Sequence, residues 1–239
     1  MLSFIKRTCR LCGGRGNEFV CSNCINTELR ALCSVRLRAP LRIDALYSPY
    51  CYDRPMGHLL KRSKEQNNIM DSWALRESCD GWSNEFCCNM SWDFIIPIPP
   101  RMSSLQNRGF DLPMIFADSI SRASRGNDLR REERLLLKWR TFRSDSPQKF
   151  LSQKERSSNL SSSFRTASID LHGKSVLIVD DVVCTGATLL EAAHAISKLN
   201  PDRIEAFCLA HSHQSAISRL DERKLSRETK RDHCRITSP

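Results

Sequence analysis

Short unbroken apolar runs, each followed by a polar turn and a helix-period segment, dominate the pattern of this chain. The clearest is Val176-Leu177-Ile178-Val179, which predicts a strand buried on both faces, as in parallel sheets. It runs into Asp180-Asp181, then Val182-Val183, then the small turn Cys184-Thr185-Gly186-Ala187-Thr188, and then the apolar-periodic segment from Leu189 to Leu199. Phe94-Ile95-Ile96-Pro97-Ile98-Pro99-Pro100 predicts a second buried strand, cut short by its prolines. A polar loop from Arg101 to Arg108 follows, and then a helix from Phe110 to Ala123 with Leu112, Ile115, Phe116 and Ile120 on one face. Leu135-Leu136-Leu137 and the stretch Arg203 to Ala210 predict further strands, and Ile43 to Tyr52 a short extended segment. Pro55 to Leu75 reads as helical in two parts, with Leu59, Leu60, Ile69 and Trp73 facing inward. Such alternation predicts an α/β fold, a mostly parallel sheet with flanking helices.

Elsewhere the pattern weakens. Residues 76 to 92 mix Asn, Ser, Cys and Trp without a period, and no element is assigned there. The polar stretch from Thr141 to Ser163 reads as a mobile loop running into a helix near Gln148 to Arg156. Gln214 to Pro239, poor in apolar residues and alternating in charge, reads as a poorly ordered tail or a frayed helix. The expected organisation is a cysteine-bearing module over 1–40, an α/β domain over 41–213 and a basic polar tail over 214–239.

Composition narrows the class. With 239 residues, 40% hydrophobic and 27% charged, the chain has room for one good-sized core and a small satellite. No apolar stretch is long enough to span a bilayer, and Met1 to Arg7 is too short for a secretory leader, so no membrane insertion and a cytoplasmic location are expected. The net charge of +10 is concentrated over Arg122 to Arg143 and Arg219 to Arg235. That surplus suits nucleic acid or polyphosphate ligands, and equally a generally basic surface.

Twelve cysteines are too many for structural disulfides in a cytosolic chain. Cys9-x2-Cys12 and Cys21-x2-Cys24 form two pairs separated by eight residues, with Gly13, Gly14 and Gly16 permitting tight turns between them. The spacing predicts a structural, four-thiolate Zn²⁺ site, a closed shell with no open position for catalysis. A redox CxxC would need a βαβ context that this segment lacks. Cys33, Cys51, Cys79, Cys87 and Cys88 show no chelate spacing, and Cys208 reads as a small buried hydrophobe.

The acidic run carries the chemistry. Backbone N–H groups around Thr185, Gly186 and Ala187 can face an anion at a helix N-terminus, with the Thr185 and Thr188 hydroxyls as further donors. Asp180 and Asp181 would repel a phosphate, so sugar hydroxyls or a divalent metal are their natural partners. A ligand with a 5-phosphate at one end and ribose hydroxyls in the middle fits this strip; an ordinary strand-loop-helix with two capping Asp residues is the plain alternative. The run resembles the 5-phosphoribosyl-1-pyrophosphate (PRPP) motif of type I phosphoribosyltransferases.

Further pieces make residues 9 to 212 resemble the ComF family (ComFC and GntX-like proteins), associated with DNA uptake and natural competence. They are the four-cysteine module, Ile96-Pro97-Ile98-Pro99, Arg108-Gly109-Phe110, the series Gln148, Leu151, Arg156, Asn159 and Phe164, and the run from Val179 to Thr188. The chain departs from the family at Asp111 and Leu112, where Asn-Gln is common after Arg-Gly-Phe. The resemblance implies that Asp180 and Asp181 contact the ribose hydroxyls and can hold Mg²⁺, and that Cys184, Thr185, Gly186, Ala187 and Thr188 cradle the 5-phosphate. It further implies that Pro99, Pro100 and Arg101 lie beside the pyrophosphate, and that the loop carrying Arg143 and Arg156 closes over it, with Arg156 counted alongside the two acids as catalytic. DNA and the DNA-uptake machinery are the implied partners.

Purine-salvage relatives carry an Asp three positions after the second acid, where this chain has Cys184, a poor base; 6-oxopurine salvage is therefore disfavoured. Three functions follow from these residues. One is a PRPP-binding protein of ComF type, a second an active phosphoribosyltransferase whose acceptor the sequence does not reveal. The third is a zinc-ribbon nucleic-acid binder with a scaffold α/β domain.

Overall fold

The computed structural model describes residues 7–28, 33–35, 43–52, 55–87, 90–124, 130–131, 136–138 and 164–212. In chain order the elements begin with β1 (Arg7–Thr8), β2 (Arg15–Gly16), α1 (Ser22–Glu28), β3 (Cys33–Val35), β4 (Ala45–Ser48) and β5 (Tyr50–Cys51). Then come α2 (Pro55–Glu65), α3 (Ile69–Phe86), β6 (Phe94–Pro97), α4 (Met102–Arg108), α5 (Leu112–Ala123) and β7 (Arg130–Arg131). The last are β8 (Leu136–Lys138), β9 (Phe164–Thr166), β10 (Ser175–Val183), α6 (Ala187–Ser197) and β11 (Arg203–His211).

One sheet runs in the order β3-β4-β11-β10-β6-β7, with β5 also on β11. Every pairing in it is parallel except β3 with β4. The expected mostly parallel sheet is present, and the apolar runs lie at its centre. Val176, Leu177, Ile178 and Val179 of β10 are all fully buried. Burial on both faces explains why these strands read as continuous apolar sequence rather than alternation.

Side chains alternate between two cores. Ile95, Leu177, Val179, Phe207 and Leu209 meet α2, α3 and α5 on one face. Phe94, Ile96, Val176, Ile178, Ala206 and Cys208 meet α6 on the other. Cys208, 0% exposed, is the small buried hydrophobe its sequence context suggested.

Several local readings need correction. The expected loop from Arg101 to Arg108 is largely helical: α4 starts after an extended Arg101 and stops at Gly109, whose φ of 72° ends the helix. Gly109 N–H closes that end on the Leu105 carbonyl at 2.8 Å. Residues left unassigned from 76 onward continue α3 to Phe86. Ile69 and Trp73, expected inward, are 53% and 50% exposed. The face α3 buries is instead Asp71, Ser72, Ala74, Leu75, Ser78, Cys79, Trp82 and Ser83. Its serines satisfy themselves on the helix, Ser72 Oγ on Ile69 O at 2.7 Å and Ser78 Oγ on Ala74 O at 2.9 Å, so polar residues line a buried face. The strand expected at Leu135-Leu136-Leu137 is β8, which pairs antiparallel with β9 outside the main sheet. Leu135, Arg143, the helix expected near Gln148 to Arg156, and the tail from 214 lie outside the described residues. Among the described residues no helix is long and apolar enough to cross a membrane.

Candidate functional site

Strand order places a crevice. From β6 the chain leaves through α4 and α5 to β7 on one side; from neighbouring β10 it leaves through α6 to β11 on the other. Crossovers of one hand that travel in opposite directions put their helices on opposite faces, as α5 and α6 are. The two connections diverge between β6 and β10, and outside the C-terminal ends of strands at such a switch point is where open α/β sheets bind ligands.

The sequence motifs converge there. Ile98 N–H bonds to Val179 O at 2.8 Å, which sets the half-buried Pro99 and Pro100 and the exposed Arg101 beside Asp180. Asp180 and Asp181 lie within β10 itself rather than beyond its end, because Val182 and Val183 continue the register on Ala210 and His211. Asp180 Oδ1 accepts the Asp181 N–H at 2.8 Å. Asp181 reaches across to α2, where its Oδ1 pairs with Lys64 Nζ at 2.7 Å. Oδ2 of Asp181 is left to accept from a hydroxyl. The two carboxylates also act on the neighbouring strand: burial first, then the Asp180 and Asp181 charges, push the Cys208 thiol well up, with Lys64 opposing them.

The turn after β10 is built for close approach. Gly186 caps α6 at φ 75°, a left-handed conformation that suits glycine, and its carbonyl accepts the Leu190 N–H at 2.9 Å. Thr185 Oγ1 accepts the Ala187 N–H at 3.3 Å. Cys184 and Thr185 are exposed, and Gly186, Ala187 and Thr188 half-buried. The first-turn N–H groups of α6 have no partners within the helix, so an anion here would meet donors and the positive end of the helix dipole. Of the expected site residues, Asp180, Asp181, the 184–188 turn and Pro99-Pro100-Arg101 thus lie together on the C-terminal side of β6 and β10. Arg156 lies outside the described residues.

A second candidate centre is the four-cysteine module. The Sγ atoms of Cys9, Cys12, Cys21 and Cys24 all lie within 4.8 Å of one another. Cys9–Cys24 and Cys12–Cys21 are separated by 3.9 and 3.8 Å, too far for disulfides. A tetrahedron with Zn–S bonds of about 2.3 Å has edges of about 3.8 Å, so the four sulfurs can hold a zinc ion. Burial alone would raise the Cys9 thiol, yet backbone hydrogen bonds from Cys12, Cys21 and Leu11 hold it down at about 6. Burial and neighbouring thiols push Cys24 up. Four thiolates crowded together need a cation to ionise as a set.

This module is docked, not dangling. Arg10 Nε meets Asp71 Oδ1 at 2.6 Å, and Arg62 holds the same carboxylate through Nε and Nη2 at 3.0 and 3.1 Å. Val20 N–H donates to Glu77 at 2.9 Å, and Phe19 stands edge-on to Trp73 at 5.8 Å. Sequence reasoning missed both the Lys64–Asp181 pair and the Arg10–Asp71–Arg62 cluster. The run of His58, Lys61, Arg62 and Lys64 was the available signal, but it does not say which charge meets which partner.

Comparison with curated proteins finds no match. Residues 136–234 match the family model described as the phosphoribosyl transferase domain, and this stretch contains β10, the acidic pair, the Gly186 turn, α6 and β11.

Proposed function

We propose that this chain binds PRPP, or a related phosphoribosyl ligand, in the crevice between β6 and β10, and serves DNA uptake and natural transformation as a ComF-type protein. One observation carries the ligand reading: within the stretch that matches the phosphoribosyl transferase domain, the acidic pair of β10 and the Gly186 turn opening α6 border a single switch-point crevice. Asp180 and Asp181 accept from ribose hydroxyls; the turn from Cys184 to Thr188 receives the 5-phosphate; Pro99, Pro100 and Arg101 border the pyrophosphate. Arg156, on the strength of the family resemblance, adds positive charge there.

Two metals belong to this reading. Mg²⁺ is a hard cation that takes oxygen ligands, and the Asp180 and Asp181 carboxylates together with the ligand's own oxygens form such a donor set. When bound it neutralises charge on the pyrophosphate. Zn²⁺ is structural, held by Cys9, Cys12, Cys21 and Cys24 in a closed shell.

Ligand binding is preferred to transfer because these residues supply a phosphoribosyl site without marking an acceptor site. Cys184 stands exposed where purine-salvage relatives carry a base. The DNA-handling part rests on the family resemblance and on the net charge of +10.

Thermal-shift titrations with PRPP, ribose 5-phosphate and inorganic pyrophosphate, each with Mg²⁺, test the ligand reading. PRPP is expected to raise the melting temperature most, since it alone fills both ends of the crevice; equal shifts from all three would reduce the site to a generic anion sink. Single-stranded DNA binding, followed by anisotropy as salt is varied, tests the second part. Affinity should fall steeply with salt, and absence of binding at low ionic strength removes the DNA role.

A further inference from the structure

Helix α2 makes two charged contacts from its last turn. Arg62 points to the four-cysteine module, holding the fully buried Asp71 through two bonds and donating through Nη2 to the Arg10 carbonyl at 3.4 Å. Two residues on, Lys64 pairs with Asp181 at 2.7 Å. Residues two apart on a helix leave on different sides, so one turn bridges the module and the crevice. The other end of α2 is fixed as well: a Cβ on Gly57 would stand 1.5 Å from the Tyr52 carbonyl oxygen, so the helix rests directly on backbone at the end of β5.

Asp181 faces an electrostatic conflict. Two adjacent carboxylates border a crevice meant for a multiply negative ligand, and both would repel it. An ammonium paired with one Asp181 oxygen offsets that repulsion and fixes the side chain, while the other oxygen stays open to a hydroxyl. The side chains of Lys64 and Asp181 are 30% and 15% exposed, so bulk water screens the pair only in part.

We propose that Lys64 is a positioning residue for the sugar-phosphate crevice, and that the Arg10–Asp71–Arg62 cluster sets where Lys64 stands, so that the four-cysteine module tunes ligand affinity from outside the site. This rests on the reading of the crevice as a phosphoribosyl site. The path is physical and short: Arg10 follows the ligand Cys9, Asp71 joins Arg10 to Arg62, and a single helical turn joins Arg62 to Lys64. A module that loses its metal frees Arg10, and the last turn of α2 loses one of the anchors that aim Lys64.

The test is PRPP–Mg²⁺ calorimetry on zinc-loaded full-length protein, comparing wild type with Lys64→Met, Lys64→Arg, Arg10→Met and the Arg10→Met/Lys64→Met double variant. Zinc content and melting temperature are measured on each. Lys64→Met is expected to weaken PRPP about tenfold while keeping its zinc, and Lys64→Arg to stay within about threefold of wild type. Arg10→Met is expected to weaken PRPP about threefold, and the double variant to bind no worse than Lys64→Met, since coupled residues act non-additively. If Arg10→Met loses zinc, Arg62→Met, which breaks the cluster from the α2 side, takes its place in the cycle. Unchanged or tighter binding by Lys64→Met overturns the role of Lys64. Fully additive losses in the double variant overturn the coupling to the module. Wild type that ignores PRPP fails at the earlier step, the phosphoribosyl reading itself.

Discussion

Gly186 holds φ at 75° with open space where a Cβ would stand, so conformation alone sets what a substitution there costs. Gly186→Ala should destabilise the fold by about 1–2 kcal/mol, lowering the melting temperature by about 2–6 °C. An unchanged melting curve would show that the turn does not need the left-handed conformation. Asp93 makes a separate prediction. It accepts from Ser175 N–H and Ser175 Oγ at 2.8 Å each and from Lys174 at 3.3 Å, and its carboxyl is held below the ordinary value of 3.8, chiefly by the Ser175 N–H. A depressed carboxylate contributes stability that is full above its unfolded value and is lost as pH falls through the folded one. Urea midpoints of wild type should therefore fall more steeply below about pH 4 than those of Asp93→Asn; parallel curves would deny Asp93 that role. Residue identities made the Gly186 turn and the acidic pair legible in the sequence, because only certain side chains suit those backbones and charges. The Lys64 partner was not legible, because 117 positions of chain separate it from Asp181 (181 − 64) and only the fold joins them.

Among the elements, the strands were the most legible. Val176 to Val179 and Ala206 to Ala210 are apolar without interruption because both faces of the sheet are covered. Helix α3 was hidden by the same logic in reverse. Its buried face carries three serines and an aspartate: Ser72 and Ser78 bond to the helix backbone, Ser83 pairs with Cys79 Sγ, and Asp71 meets Arg10 and Arg62, so no apolar stripe marks it. Helix α4 was hidden by its serines and by the prolines before it; Gly109 was the one stop signal present. Helix α2 was legible as a helix, but its anchoring was not. Glycine inside a helix usually costs stability relative to alanine by about 1 kcal/mol. At Gly57 the sign should reverse, because a methyl would overlap the Tyr52 carbonyl and force α2 off β5. Gly57→Ala should cost about 3 kcal/mol in urea denaturation; a neutral or stabilising result contradicts that packing.

Across the whole molecule, a mostly parallel sheet sends the chain in opposite directions from β6 and β10, and the acidic pair and the Gly186 turn, both within the stretch that matches the phosphoribosyl transferase domain, lie at that switch point. The four-cysteine module is packed into the same core, with Cys9 and Val20 buried against α3 and its neighbours, so the cluster of four sulfurs and the switch point belong to one folded body. The fold class was readable from the alternation of runs and helices; the switch point required strand order, which local sequence does not encode. The most direct measurement of the central claim is isothermal titration of zinc-loaded protein with PRPP and Mg²⁺, run beside the Asp180→Asn/Asp181→Asn double variant. Saturable binding of one ligand per chain by wild type, lost in the variant while zinc and melting temperature are kept, is the predicted result. No heat of binding in wild type, or equal binding by the variant, would contradict the account.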